Sequence, residues 1–152
     1  MPTHFKGTKK EIETLNAFIK MTRASESISH RLSRHLADSC EKLTLSQFGI
    51  LESLYHVGSS NQRDLGAKLL KTGGNITMVI DNLVKRNYVL RETDPNDRRA
   101  SIISLTEEGR EFISGYFPVH LAKIVEEFSV LTSEELKELG RLCKKVGIKG
   151  NK

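Results

Sequence analysis

The spacing of apolar and polar residues predicts a chain made mostly of amphipathic helices. Over residues 9–37, apolar side chains recur three or four positions apart, as they do on one face of a long helix. A second helix is expected to begin after Thr44, because Gln47 completes a capping-box pattern there. A short third helix should follow, with Ser59 or Asn61 as its cap.

The middle of the chain combines a fourth helix with a β-hairpin. Helical spacing of apolar residues predicts a helix over residues 72–87. Its apolar face is expected to consist of Ile76, Val79, Ile80, Leu83 and Val84. Residues 89–106 hold two short alternating runs around Pro95, Asn96 and Asp97, which favour a turn. Two helices joined by a short Gly-containing turn and followed by a two-stranded ribbon form a winged helix-turn-helix.

The C-terminal part is predicted to form two more helices. Thr106 is expected to cap the first, which Pro118 should kink or interrupt. The second should begin with a capping box of Thr132 and Glu135. The resulting order is ααααββαα, a mainly α fold with a small β-wing. We divide this single intertwined domain into an N-terminal dimerisation helix (1–40), a winged helix-turn-helix DNA-binding lobe (41–106) and C-terminal dimerisation helices (107–152).

Dimerisation is expected because the terminal helices carry more apolar surface than a small winged lobe can cover. The large apolar residues outside the lobe include Phe5, Phe18, Phe112, Phe117 and Phe128. A two-fold dimer would present two reading helices to half-sites about one helical turn of DNA apart, roughly 34–36 Å.

The fourth helix is the candidate reader of the major groove, since the preceding helix braces it. The residues expected to face DNA are Thr72, Gly73, Gly74, Asn75, Thr77, Met78, Asp81, Asn82 and Lys85. Asn bonds adenine through two groups, Thr can bond bases or contact the methyl group of thymine, and Met can contact that methyl group. The two glycines leave backbone N–H groups open to a phosphate at the helix start. The alternative is a capped surface helix that faces water.

The predicted hairpin carries two adjacent arginines at its tip. Asp97 and Arg99 lie two positions apart, so Asp97 can hold the Arg99 guanidinium extended towards the minor groove. Arg98 would then face a phosphate. The alternative is a solvated turn whose exposed ion pair contributes less than about 1 kcal/mol.

Charge and composition narrow the function classes. The net charge is +5, but residues 61–99 hold eight Lys/Arg against five Asp/Glu, while residues 107–138 hold three against eight. A basic middle beside an acidic helical region suits one face for a polyanion and another for a different partner. Apolar runs are too short to span a bilayer, so a cytoplasmic protein is expected. No enzyme motif, nucleotide-binding glycine loop or cofactor motif is present.

Other candidate sites are weaker. The first helix interrupts its apolar stripe with polar residues, and a ligand pocket is predicted at Thr22, Ser25, His30 and Arg34. A solvated helix face explains the same residues. Cys40 lies near basic residues that would lower its pKa, which makes it a candidate redox site, with a small buried residue as the alternative. Cys143 is expected to pack on the apolar side of the last helix, and the scattered histidines predict no metal site.

The stretch from Asp94 to Arg99, followed by Ile103-Ser104-Leu105-Thr106-Glu107-Glu108-Gly109, closely resembles the wing and next helix start of MarR-family transcription regulators. Residues 43–48, 76–83 and 131–136 extend the resemblance over nearly the whole chain. It implies a homodimer on a pseudo-palindromic operator, usually a repressor whose DNA affinity falls when a small phenolic or aromatic ligand binds. Residues 23–27 and 117–120 are similar to a branch that responds to quinones and phenols.

The sequence thus predicts a dimeric, sequence-specific DNA-binding regulator that is a repressor released by a small ligand. Three alternatives remain. These are a sequence-neutral architectural DNA binder, a thiol-based redox-sensing repressor acting through Cys40, and a protein-interaction module with a winged fold.

Overall fold

The computed structural model describes residues 4–39, 41–69 and 73–148. The elements in chain order are α1 (Lys9–Ala37), α2 (Leu45–Val57), β1 (Ser60–Asn61), α3 (Gln62–Lys68), α4 (Gly73–Lys85), β2 (Val89–Asp94), β3 (Asp97–Leu105), α5 (Glu107–Phe128) and α6 (Ser133–Gly147). The mainly α fold with a β-wing is confirmed. The strand β1 was not predicted, because two residues are too few to show an alternating pattern.

The predicted helix starts rest on side-chain caps. The Thr44 and Thr132 hydroxyls each accept the backbone N–H three residues on, and each capping box is closed by the return bond. Asn61 caps α3, and the Thr106 hydroxyl accepts the N–H of Gly109 at the start of α5. Such caps satisfy backbone donors that have no partner inside the helix.

The chain divides into two compact units, residues 1–117 and residues 118–152. The core of the first unit is apolar and contains Leu36, Phe48, Leu51, Leu54, Leu65, Ile80, Leu83, Val89, Ile103 and Ile113. The expectation that Val84 belongs to the core face of α4 was wrong, since its side chain is 39% exposed. Val84 follows Ile76 by eight residues, which turns it about 80° away, to the edge of that face.

The small sheet has the order β1-β3-β2, with antiparallel pairing throughout. In the hairpin, Val89 pairs with Leu105 at the base and Asp94 with Asp97 at the tip. At the other edge of β3, Asn61 pairs with Ile102. Because Asn61 also caps α3, the wing is attached directly to the start of the first helix of the helix-turn-helix.

The turn from α4 into the wing uses a left-handed residue. Asn87 has φ 59°, and the N–H groups of Asn87 and Tyr88 donate to the carbonyls of Val84 and Leu83. This is the Schellman pattern of helix termination. The same segment then contacts α5, where Gly109 lies so close to the Tyr88 backbone that a Cβ there would be 2.0 Å from the Tyr88 carbonyl oxygen.

Tyr88 connects the base of the wing to several other elements. Its hydroxyl donates to a Glu41 carboxylate oxygen, and its ring stacks on Phe112 at 5.1 Å. Phe112 in turn stacks on Tyr116 at 5.5 Å, which meets Phe48 edge to face at 5.9 Å. Burial, with the bond to Glu41, raises the pKa of Tyr88 to about 12.

The structure corrects one expectation for the C-terminal helices and tests half of another. Pro118 was expected to kink or interrupt α5; the helix runs without interruption from Glu107 to Phe128, and a kink there stays a prediction. The proline removes one N–H from the helix ladder. In α6, Cys143 is exposed rather than packed. It follows an apolar face whose members are also exposed: Leu136, Leu139, Leu142 and Val146.

Candidate nucleic-acid interface

A cleft of about 590 Å³ opens between the start of α3, the start of α4 and the wing strand β3. It is lined by Asn61, Gln62, Arg63, Gly73, Ile76, Thr77, Asp97, Arg99, Ala100 and Ser101. The structure thereby brings residues of the predicted reading helix and the predicted wing tip, far apart in sequence, to one concave surface. Gly73 and Thr77 come from the helix, and Asp97 and Arg99 from the wing.

The face of α4 opposite the core carries the residues expected to contact DNA. Ile76, Val79, Ile80 and Leu83 are buried on the other side. Gly73, Gly74, Asn75, Thr77, Met78, Asn82 and Lys85 are exposed, and Asp81 is half-buried. Met78 is 60% exposed, so its side chain is available for contact with a partner. Thr72 lies outside the described residues. Contact of these residues with DNA stays a prediction.

Asp81 joins the reading helix to the wing. Its Oδ1 lies 2.7 Å from Nη1 of Arg91 in β2. The guanidinium balances the carboxylate on a surface where a bare negative charge would repel phosphate. We therefore interpret Asp81 as a residue that positions the helix against the wing.

The wing tip has the Asp97–Arg99 pairing expected from the sequence. Asp97 Oδ1 accepts the backbone N–H of Arg99 at 3.0 Å and lies 3.6 Å from its Nε. The Arg99 side chain is still 93% exposed. On the other side of the turn, Asp94 Oδ1 accepts the N–H of Asn96 at 2.8 Å. These short side-chain to backbone bonds shape the turn while leaving Arg98 and the Arg99 guanidinium accessible.

Sequence reasoning missed Gln62 and Arg63, which line the cleft at the start of α3. Gln62 Nε2 donates to Thr77 Oγ1 at 2.9 Å. Their position depends on the pairing of β1 with β3 and on the packing of α3 against α4, where a Cβ on Gly66 would contact Ile76 at 3.4 Å. A local pattern does not report such long-range contacts. The one sequence feature that points to these two residues is the helix cap at Asn61, since residues just after a cap lie at an accessible helix end.

The predicted ligand residues on α1 do not share one face. Thr22 is half-buried, while Ser25, His30 and Arg34 are exposed. His30 and Arg34 are neighbours one turn apart, but Ser25 and Arg34 are nine positions apart and point about 180° from each other. A single pocket in one chain therefore cannot be lined by all four side chains. Each remains a prediction.

Three buried polar atoms have no hydrogen-bond partner among the described residues: His35 Nε2, Ser53 Oγ and Tyr116 Oη. They belong to α1, α2 and α5 respectively. Buried polar groups are nearly always bonded, so each of these atoms requires an explanation. No local sequence pattern indicates these atoms, because their burial arises from tertiary packing.

The remaining candidate sites are quickly placed. Cys40 lies outside the described residues, and its redox role stays a prediction. Within residues 4–39, 41–69 and 73–148, no group of three or more His, Cys, Asp or Glu side chains is arranged to hold a metal ion. In the same ranges, every helix is too short or too polar to cross a membrane.

Comparison with known proteins places the chain in a family. Residues 43–101 match the model of the MarR family. The HTH-type transcriptional regulator MhqR of Bacillus subtilis is 35% identical over 136 residues, which cover 90% of this chain and 92% of that protein. These relatives are regulators of transcription and not enzymes, as the sequence predicted.

The comparison with solved structures finds the same fold. AbsC, a MarR family transcriptional regulator from Streptomyces coelicolor, has the same fold, with a TM-score of 0.81 at 23% identity and coverage of 94% of this chain and 96% of that one. A mutant MarR from E. coli complexed with operator DNA has a TM-score of 0.75 at 27% identity, covering 93% and 99% of the two chains. The chain therefore belongs to the MarR family of winged helix-turn-helix transcriptional regulators.

Proposed function

We propose that this protein is a dimeric repressor that binds a pseudo-palindromic operator in the cytoplasm and is released from it by a small phenolic or aromatic ligand. The observation that carries the DNA-binding part is the cleft. It sets the start of α4 beside the arginine-bearing wing, so one lobe can place a helix in the major groove and an arginine in the adjacent minor groove. The E. coli MarR relative, which was solved with operator DNA, supports this assignment.

The charges of the cleft favour a polyanion. Arg63 and Arg99 contribute to its lining, and the one carboxylate among the described lining residues, Asp97, is already bonded to Arg99. The backbone N–H groups at the start of α4 add a positive dipole end at Gly73 and Gly74. The exposed polar face of α4 supplies groups able to distinguish base edges.

Dimerisation is supported by apolar surface on both terminal helices. On α6 the leucines at one face are exposed, and on α1 Phe18 is 59% exposed, with Met21 one turn further along. Faces of this kind on a soluble regulator are expected to pack against a second copy. Leu139→Lys should convert a dimer into a monomer in light scattering, while the matched Lys137→Ala on the same helix should not. A wild type that is monomeric at micromolar concentration would contradict the proposal.

The DNA-binding part is tested by selecting duplexes from a random pool and measuring competition against unselected DNA. We expect selected duplexes to bind at least about 10³-fold more tightly than random ones. A ratio near one would favour the architectural alternative. Arg99→Ala should weaken binding markedly, whereas Arg110→Ala, an exposed arginine of α5 that does not line the cleft, should change it little. If Arg99→Ala and Arg110→Ala bind DNA alike, Arg99 has no part in recognition.

Ligand release is supported by the three buried polar atoms that have no hydrogen-bond partner among the described residues. An unsatisfied buried group costs about 1–3 kcal/mol, so a ligand that bonds His35 Nε2 or Tyr116 Oη would gain that energy. The aromatic stack of Tyr116 on Phe112 suits a ring-shaped ligand. The polar residues of α1 around His30 and Arg34 are an alternative position, and the similarity to a quinone-responsive branch stays a prediction.

A thermal-shift screen of phenols, quinones and carboxylates, repeated with operator DNA, tests this part. A ligand acts only through a difference in affinity for the DNA-binding and non-binding states, so a true effector must stabilise the free protein more than the complex. Tyr116→Phe should weaken its binding, and Tyr55→Phe serves as the control. A compound that binds tightly yet leaves operator affinity unchanged would contradict the proposed release.

A further inference from the structure

The hydroxyl of Thr77 is occupied by two partners inside the protein. Its O–H donates to the carbonyl oxygen of Gly73 at 2.9 Å, one turn earlier in α4. Its oxygen accepts an N–H from Gln62 Nε2, also at 2.9 Å. A hydroxyl has a single hydrogen to donate, so Thr77 cannot donate to a base without breaking the bond to Gly73.

The same two bonds fix the side chain of Thr77. With Oγ1 held between Gly73 and Gln62, the methyl group must occupy another staggered position, and it cannot exchange with the hydroxyl without losing both bonds. Thr77 is exposed and lines the cleft, and the neighbouring Met78 is exposed as well. The reading face thus offers apolar groups at two successive positions.

We propose that Thr77 determines specificity by apolar contact of its methyl group with the C5-methyl of a thymine, and that Gln62 is a positioning residue that orients it. The C5-methyl is the apolar group that thymine presents in the major groove, and uracil lacks it. The inference rests on the proposed function, because it requires an operator that the protein reads by sequence.

The test uses a duplex selected by the wild-type protein and remade with dU in place of each dT in turn. One replacement in each half-site should weaken wild-type binding by about fifteenfold, the effect of removing two buried methyl contacts at about fourfold each. Thr77→Val keeps a methyl at this position, so it should retain both the affinity and the sensitivity to dU. Thr77→Ser keeps the hydroxyl and loses the methyl in both subunits, so it should bind the dT duplex about fifteenfold more weakly and not distinguish dT from dU there.

Gln62→Ala provides the readout for positioning. It should reduce the ratio of the dU and dT dissociation constants at that one thymine, while dU replacements elsewhere in the duplex keep their effects. A role of Gln62 in stability alone would not change this ratio.

The outcomes separate the two proposals. Failure of the wild type to enrich any duplex overturns the proposed function, and this inference with it. Enrichment followed by equal dU sensitivity in wild type and Thr77→Ser at every thymine overturns the inference alone. The comparison of wild type with Thr77→Ser leaves both hydroxyl bonds in place, so it holds even if Thr77→Val folds poorly.

Discussion

Replacing Gly109 with alanine should destabilise the protein, although alanine is the better helix former. The added Cβ would lie 2.0 Å from the carbonyl oxygen of Tyr88 and 2.9 Å from its carbonyl carbon. Both atoms are backbone, and the oxygen already accepts the N–H of Thr106 at 3.1 Å, so no flexible side chain can swing away. Overpacking of this kind costs about 1–3 kcal/mol. Because the contact is shorter than any normal one, we expect the upper part of that range.

Gly115→Ala in the same helix is the matched control. No neighbouring heavy atom among the described residues lies within 4 Å of the Cβ that it would add. Removing a glycine from a helix interior stabilises by up to about 1 kcal/mol. The two variants should therefore differ by about 3 kcal/mol in the free energy of unfolding.

The assay is urea denaturation of both variants and the wild type at equal protein concentration, since a dimer's stability depends on concentration. The close approach also holds the start of α5 against the base of the wing, so the folded fraction of Gly109→Ala should bind DNA more weakly as well. If Gly109→Ala is as stable as Gly115→Ala, the close packing of α5 on Tyr88 is wrong.

Three further predictions concern the titration of Tyr88, the salt dependence of DNA binding and the ion pair between Arg91 and Asp81. The pKa of Tyr88 is raised from 10.0 to about 12 in the folded state, so its neutral hydroxyl contributes fully to stability below pH 10, and that contribution should be lost as pH rises through 12. Urea denaturation should show that the free energy of unfolding falls less over this pH range in Tyr88→Phe than in the wild type. Arg98→Ala should reduce the slope of log affinity against log salt by about one unit, and an unchanged slope would remove Arg98 from the phosphate contacts. Arg91→Met should weaken operator binding but lower the free energy of unfolding by less than about 1 kcal/mol, because its ion pair with Asp81 is partly exposed. Unaltered binding would show that this ion pair has no role in recognition.

The parts of the fold that depend on local chemistry were predictable. A capping box requires residues three positions apart, so the starts at Thr44 and Thr132 could be read directly from the sequence. The hairpin was equally clear, because turn-forming residues sit between two alternating runs. The long helix α1 has the predicted bounds, since its apolar spacing continues to Ala37.

The parts that depend on packing across the chain were not predictable. The strand β1 exists because Ser60 and Asn61 meet β3 some forty residues later. The bond from Gln62 to Thr77 and the contact of Gly109 with Tyr88 arise in the same way. Val84 shows a further limit of sequence patterns. The spacing of apolar residues identifies the apolar face of α4, but it does not show where the packing against that face ends.

The bonds from Asp97 to Arg99 have a consequence for the strength of DNA binding. Fixing the backbone of one residue costs about 1–2 kcal/mol of conformational entropy. Because Asp97 Oδ1 accepts the backbone N–H of Arg99 in the free protein, that cost is met during folding and not on association with DNA. A negative residue at the edge of a polyanion-binding surface thereby favours association, because it limits the disorder of the backbone that carries the positive one.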